Sequence, residues 1–184
     1  MAKDLGHSRS TDGVDRCGQS PVRIRMAVAT DLPVLAALWM EFLDFNARFD
    51  ARFTRAPEGH EAWVADTASA LEDPSSLVLV AESGGEVVGF LTAALREHPP
   101  MVLNRAHGFV RELGVTGRAR RLGVGSALYR EAESWLRERG VPVVELHVAA
   151  RNPVSMAFWR AMGFEPFVER MAKDMSPARE GGRP

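Results

Sequence analysis

The stretch RARRLGVGSALYREAESWL, residues 118–136, sets three arginines and two glycines directly before an amphipathic helix. A helix start already presents unpaired N–H groups and about half a positive charge from the macrodipole. Arg118, Arg120 and Arg121 add cation there, and Gly123 and Gly125 let backbone approach closely. Such a place suits an anion, phosphate above all. Further on, VVELHV (143–148) alternates, so Val144, Leu146 and Val148 share one face and Glu145 and His147 the other. A histidine titrates at about pH 6.5, so His147 is a candidate proton acceptor, with a half-exposed, hydrogen-bonded strand histidine as the plainer reading. Asn152, just before Pro153, reads as a helix N-cap.

The elements that position these groups follow from periodicity. VRIRMA (22–27) alternates as a half-buried strand does. A helix follows, with Thr30 or Asp31 as N-cap, a proline in its first turn, and Leu35, Leu38, Trp39 and Phe42 at helical spacing. A second helix is expected over Glu61–Leu71. SLVLVAESGGEVVGFLTAAL predicts two strands, Leu77–Glu82 and Glu86–Leu95, joined by a Ser83-Gly84-Gly85 hairpin turn. After a loop with two prolines, His107–Val115 predicts a third central strand leading into the arginine–glycine segment. A helix over Val124–Arg139 ends at Gly140, a strand spans Val143–Val148, a short helix closes at Gly163, and FEPFVERMAKDM predicts a last strand. The order β-α-α-β-β-β-α-β-α-β describes a single α/β domain with a mixed, twisted sheet flanked by helices.

Composition bounds the rest. A chain of 184 residues with 46% hydrophobic and 26% charged residues is an ordinary globular domain. The net charge of -1 offers no global field for nucleic acid or a membrane surface, so anion binding must be local. No apolar run approaches the roughly twenty residues of a membrane span. The single cysteine, Cys17, excludes an internal disulfide framework and fits a reducing cytoplasm. Residues 1–20 lack the apolar core of a secretory signal and read as a flexible polar tail, residues 177–184 as a flexible end, and residues 21–176 as the domain. A P-loop is absent. A dinucleotide fold would need its own tight strand-to-helix turn and a ribose-binding acid about twenty residues on.

Arg120-x-x-Gly123-x-Gly125, embedded in ELGVTGRARRLGVGSAL, resembles the pyrophosphate loop of the GNAT superfamily of N-acetyltransferases. LHVAARNPVSMAFWRAMGF resembles the same family's strand, asparagine, short helix and terminal Gly-Phe, and the element order agrees over about residues 22–175. The resemblance implies acetyl-CoA as cofactor. Its pyrophosphate would lie on the N–H groups of Arg121, Leu122, Gly123, Val124, Gly125 and Ser126, with Arg120 adding charge. Its pantetheine arm would pair with Leu113, Gly114 and Val115, where a backbone N–H polarises the thioester carbonyl. Asn152 falls where the family hydrogen-bonds cofactor or a relay water. Many members carry a tyrosine acid at the position of Trp159; here Trp159 is expected to pack beside the pantetheine or core, and Tyr129 is the sole tyrosine.

The implied reaction is transfer of an acetyl group to a primary amine of a small molecule or peptide by direct attack. An amine resembling lysine is protonated at neutral pH and needs a base. Glu112 is placed for that role beside the expected strand opening, with a solvent-facing or ion-paired glutamate as the alternative; His147 is the second candidate. Glu41, Asp44 and Asp50, near Phe45, Phe49, Phe53 and Trp63, would favour a cationic acceptor. No metal, nucleic acid or membrane partner is expected, and a homodimer is allowed. A different class of function, a catalytically weak acyl-CoA-binding sensor, is raised by Trp159.

Overall fold

Gly84 (φ 60°) and Gly85 (φ 80°) both take left-handed backbone, the conformation that a two-residue turn between twisted strands requires. They fold β2 (Ser76–Ser83) back onto β3 (Glu86–Glu97), and β3 in turn pairs antiparallel with β4 (Ala106–Val115). The computed structural model describes residues 21–103, 105–173 and 175. The tail expected over residues 1–20, with Cys17, and the end expected over residues 177–184 lie outside them. β1 (Arg23–Met26) lines the other edge of β2, antiparallel, and β5 (Val144–Leu146) lies parallel to β4. Among the described residues, five strands therefore stand in the order β1-β2-β3-β4-β5.

Helices cover both faces. α1 (Leu32–Ala47) and α2 (Gly59–Glu72) cover one, burying Leu35, Trp39 and Trp63 against Val78, Val80 and Phe90. α3 (Val124–Glu138) covers the other with Val124, Leu128 and Ala132, packed on Leu79, Leu91 and Val110. α4 (Pro153–Ala161) follows β5. This is the single α/β domain expected. No helix among the described residues is long and apolar enough to cross a membrane.

Three expectations are corrected. Among the described residues, 164–175 form no strand. Alternation alone does not make one, because backbone N–H and C=O groups need an edge to pair with, and three-residue β5 offers little. β5 itself is shorter than the predicted Val143–Val148, leaving His147 beyond its end. Asp31 occupies the N-cap position of α1, one of the two residues expected there, but its side chain makes no capping bond to that helix. Its carboxylate accepts from Val28 N at 2.8 Å and pairs with Arg25 at 2.6 Å, which holds it below the usual carboxylate range.

Candidate active site

β4 pairs with β5 only at Gly108–Val110 and with β3 all the way to Val115. Beyond Val110 the two parallel strands part. A bulge falls at the same place: Thr92 faces Glu112 and Ala93 faces Val110, so Arg111 is the extra residue. Strict alternation would put residues 110 and 112 on one face. With the bulge, Val110 joins the core beneath α3, while Glu112 turns toward α1 and α2.

There Glu112 is held by three donors. Trp39 Nε1 donates to Oε1 at 2.9 Å, Trp63 Nε1 to Oε1 and Oε2 at 3.0 and 2.9 Å, and Thr92 Oγ1 to Oε2 at 3.2 Å. The two indoles stack with centroids 5.3 Å apart. Burial pushes the Glu112 carboxyl above its ordinary value; the hydrogen bonds, that of Trp63 foremost, oppose but do not cancel this. A carboxylate offers about four acceptor sites, and the four contacts, two on each oxygen, engage them all, with the Trp63 proton shared between the two oxygens. Neither the indoles nor the threonine were read from the sequence as partners of Glu112. Trp39 carried only a core signal, and Trp63 only a place near the acceptor.

His147 is exposed and sets its ring edge-on to Phe109, centroids 5.1 Å apart. Among the described residues no hydrogen bond joins it to Glu112. Glu145, which shares its face, pairs instead with His98.

The loop before α3 is shaped by two left-handed residues, Arg121 (φ 62°) and Gly123 (φ 81°). Alternating handedness of this kind turns successive N–H groups toward one concave side. The first bond into α3 runs from Ala127 N to Gly123 O at 2.9 Å, and no side chain caps the helix, so the N–H groups of Val124, Gly125 and Ser126 lack intrahelical partners. A Cβ built on Gly123 meets no heavy atom within 4 Å, which leaves the approach open. The residues present therefore fit a phosphate. Gly125 sits differently: its Cβ would stand 3.4 Å from Leu113 and Phe158, in van der Waals contact where α3 meets β4 and α4. Phe158, adjacent to the predicted Trp159, is the aromatic residue that reaches this loop.

The arginines divide their work. Arg118 pairs with Glu86, and Arg121 is exposed at the loop. Arg120 donates from Nε to Val115 O at 2.9 Å, reaches Glu41 at 3.3 Å, and lies 4.2 Å over the Phe45 ring. It braces the end of β4 against α1. Leu113 and Val115 pack toward α3, and Gly114 admits Phe90, whose Cε1 would lie 2.5 Å from a Cβ there. Leu122 is exposed. Asn152 is fully buried; its oxygen accepts from Ser155 N at 3.1 Å and its Nδ2 donates to Asn46 Oδ1 at 3.0 Å. The N-cap reading thus holds, and Asn46 is a partner that sequence spacing did not reveal. Trp159 stands edge-on to Tyr129 and Phe164, centroids 5.5 and 5.2 Å away, within the core beneath α3. Burial pushes the Tyr129 phenol up to about 12.

A cleft of about 510 Å³ opens between α1 and residues 117–120, lined by Met40, Glu41, Asp44, Phe45 and Arg120 among others. Its acids are paired: Glu41 with Arg120 and Gly117 N, Asp44 with Arg55, and nearby Asp50 with Arg52. They offer a cation less than their bare number suggests.

The chain is similar to mycothiol acetyltransferase of Pseudarthrobacter chlorophenolicus, 30% identical over 177 residues, covering 86% of this chain and 54% of that one. It spans about half the length of that curated relative. Among solved structures, a GCN5-related N-acetyltransferase from Ralstonia eutropha JMP134 superposes with TM-score 0.70 at 23% identity, covering 84% of this chain and 99% of that one. Aminoglycoside N-acetyltransferase AAC(6')-Iy, solved in complex with CoA, gives TM-score 0.69 at 19% identity over 84% and 95% of the two chains. The model of the acetyltransferase (GNAT) family matches residues 37–164, well over half of the sequence, and the chain belongs to that family.

Proposed function

We propose that this protein transfers an acetyl group from acetyl-CoA to a primary amine of a small molecule, with Glu112 as the base. The observation that carries the reading is the half-buried Glu112 carboxylate, gripped by two indole N–H groups where β4 leaves β5 and displaced upward in pKa. A base works best when its pKa lies near the operating pH, and burial moves a glutamate in that direction.

Bound acetyl-CoA supplies an acyl group already activated as a thioester. The chain's own residues do the rest. N–H groups at the start of α3 and the exposed Arg121 would hold the cofactor's phosphate oxygens. Trp39, Trp63 and Thr92 fix the Glu112 oxygens, and the carboxylate attracts an ammonium by charge and takes its proton as the shared Trp63 N–H withdraws to one oxygen. Trp159 has no acidic proton to give a departing thiolate, and Tyr129 is locked in an aromatic cluster. With no side chain among the described residues placed to protonate it, a CoA thiolate of pKa about 8.5 would take its proton from solvent. Relatives named for mycothiol and aminoglycosides favour a small polar amine over a protein side chain.

A panel of aminoglycosides, amino sugars, polyamines and peptides, assayed for free thiol release, tests the activity. Turnover on at least one small amine, lost in Glu112→Gln with CoA affinity retained, is expected. Silence across the panel despite tight CoA binding supports a sensor instead.

A further inference from the structure

On the face of the sheet that carries Glu112, three side chains that the acetyl-transfer reading does not use converge. His98 follows directly after β3, His107 is the second residue of β4, and Glu145 lies in β5. His98 Nε2 stands 2.9 Å from Glu145 Oε1, the two imidazoles lie 4.0 Å apart, and one donor atom from each of the three residues falls within 4.8 Å of the others. We propose that His98, His107 and Glu145 bind a divalent transition-metal ion, zinc by preference, which clamps β5 to the β3–β4 hairpin just before β4 and β5 part.

The donor chemistry fits: two imidazoles and a carboxylate with one position left for water is a recurrent zinc set. The surroundings orient the donors as well. The Arg105 carbonyl accepts from the His98 backbone N–H at 2.8 Å and from His107 Nδ1 at 3.3 Å. A carbonyl only accepts, so neutral His107 carries its proton on Nδ1 and keeps the Nε2 lone pair for a metal. Glu145 likewise only accepts when ionised, so the proton between it and His98 sits on His98 Nε2, and an ion would take that proton's place. Tetrahedral zinc sets its donors roughly 3.4 Å apart, given Zn–N and Zn–O near 2.0–2.2 Å. The present spacing brackets that value. The two rings are tilted by only 15°, and parallel rings aim their lone pairs side by side. One ring must therefore turn. His98 can: it heads the β3–β4 loop and its side chain is 30% exposed, whereas His107 is buried. Of the nearby arginines, Arg105 pairs with Glu97 and Arg111 with Asp66; Arg96, opposite His107 in the ladder, is turned over the Phe109 ring, 4.0 Å from its centroid, and is the cation a bound ion would have to tolerate.

The test uses untagged full-length protein stripped with chelator, titrated with zinc by calorimetry and with cobalt(II) by visible absorption. One ion per chain, a tetrahedral cobalt spectrum and a zinc-dependent rise in melting temperature are expected. His98→Ala, and separately His107→Gln, should weaken binding by more than the roughly 10–100-fold that loss of an outer partner costs, and abolish the thermal shift. His60→Ala, on α2, should bind as the native chain does. Absence of one-to-one binding in the native protein overturns the proposal. So does binding that survives both His98→Ala and His107→Gln, or that depends on exposed His147 instead.

Discussion

Trp63→Phe removes the indole N–H that spans both oxygens of Glu112 at 3.0 and 2.9 Å while keeping an aromatic ring beside Trp39 and Phe90. A hydrogen bond to a charged group contributes about 1.5–3 kcal/mol, and one pKa unit corresponds to about 1.4 kcal/mol. Trp63 is the largest influence holding the carboxyl down against burial. Its loss should therefore raise the Glu112 pKa further, by about 1–2 units. If Glu112 is the base, the acidic limb of kcat/KM against pH moves upward by the same amount, and the plateau at high pH is nearly kept. Trp39→Phe, which removes a donor to one oxygen only, should shift the limb less. The profile is measured by thiol release at saturating acetyl-CoA, with CoA affinity checked by calorimetry. A limb that stays in place in Trp63→Phe refutes the assignment of Glu112, and one that vanishes in His147→Ala transfers the role.

The remaining predictions concern the frame. Folded Glu112 binds its proton more tightly than the unfolded chain, so the stability it contributes is present at low pH and is lost as pH rises through the folded pKa. Glu112→Gln should escape that loss, and its melting temperature should gain on the native protein's as pH rises from the ordinary carboxylate range to the raised folded pKa, and no further above it. Gly123→Val should weaken CoA binding at least tenfold, because it fills the open approach and forces a branched residue into φ 81°, a strain of about 1–2 kcal/mol; unchanged affinity in a folded variant would count against the loop assignment. Gly108→Ala should cost about 1–3 kcal/mol in urea unfolding, since its Cβ would lie 2.7 Å from Leu136 Cδ2. Asn152→Ala should cost about 1–3 kcal/mol, and combining it with Asn46→Ala should cost less than the sum of the two.

The sequence announced what depends on local order. Gly84-Gly85 predicts its hairpin, Gly123 ahead of an amphipathic run predicts a helix start open to an anion, and Asn152-Pro153 predicts a cap; all three concern residues close along the chain. What it withheld depends on pairs distant along it. Trp39 and Trp63 look like core residues until β4 brings Glu112 between them across 73 and 49 positions. The bulge at Arg111 is invisible to alternation because it interrupts alternation. Arg120 reads from its spacing as a phosphate ligand, and its contacts with Glu41 and Phe45 of α1 carry no mark in the sequence. The last strand was read from its pattern, but a strand also depends on the edge it meets.

The brevity of β5 bears on how the molecule assembles and breathes. β2, β3 and β4 are consecutive neighbours, so their ladder closes over short stretches of chain. β5 reaches β4 only after α3, and then holds it over three residue pairs. Closing the longer loop costs more entropy for fewer bonds in return, so docking of β5 comes late in folding and its release comes early. Amide hydrogen exchange should show this directly, with β5 exchanging well before the β2–β4 ladder. The seam beside Glu112 would then be the place where the sheet first opens.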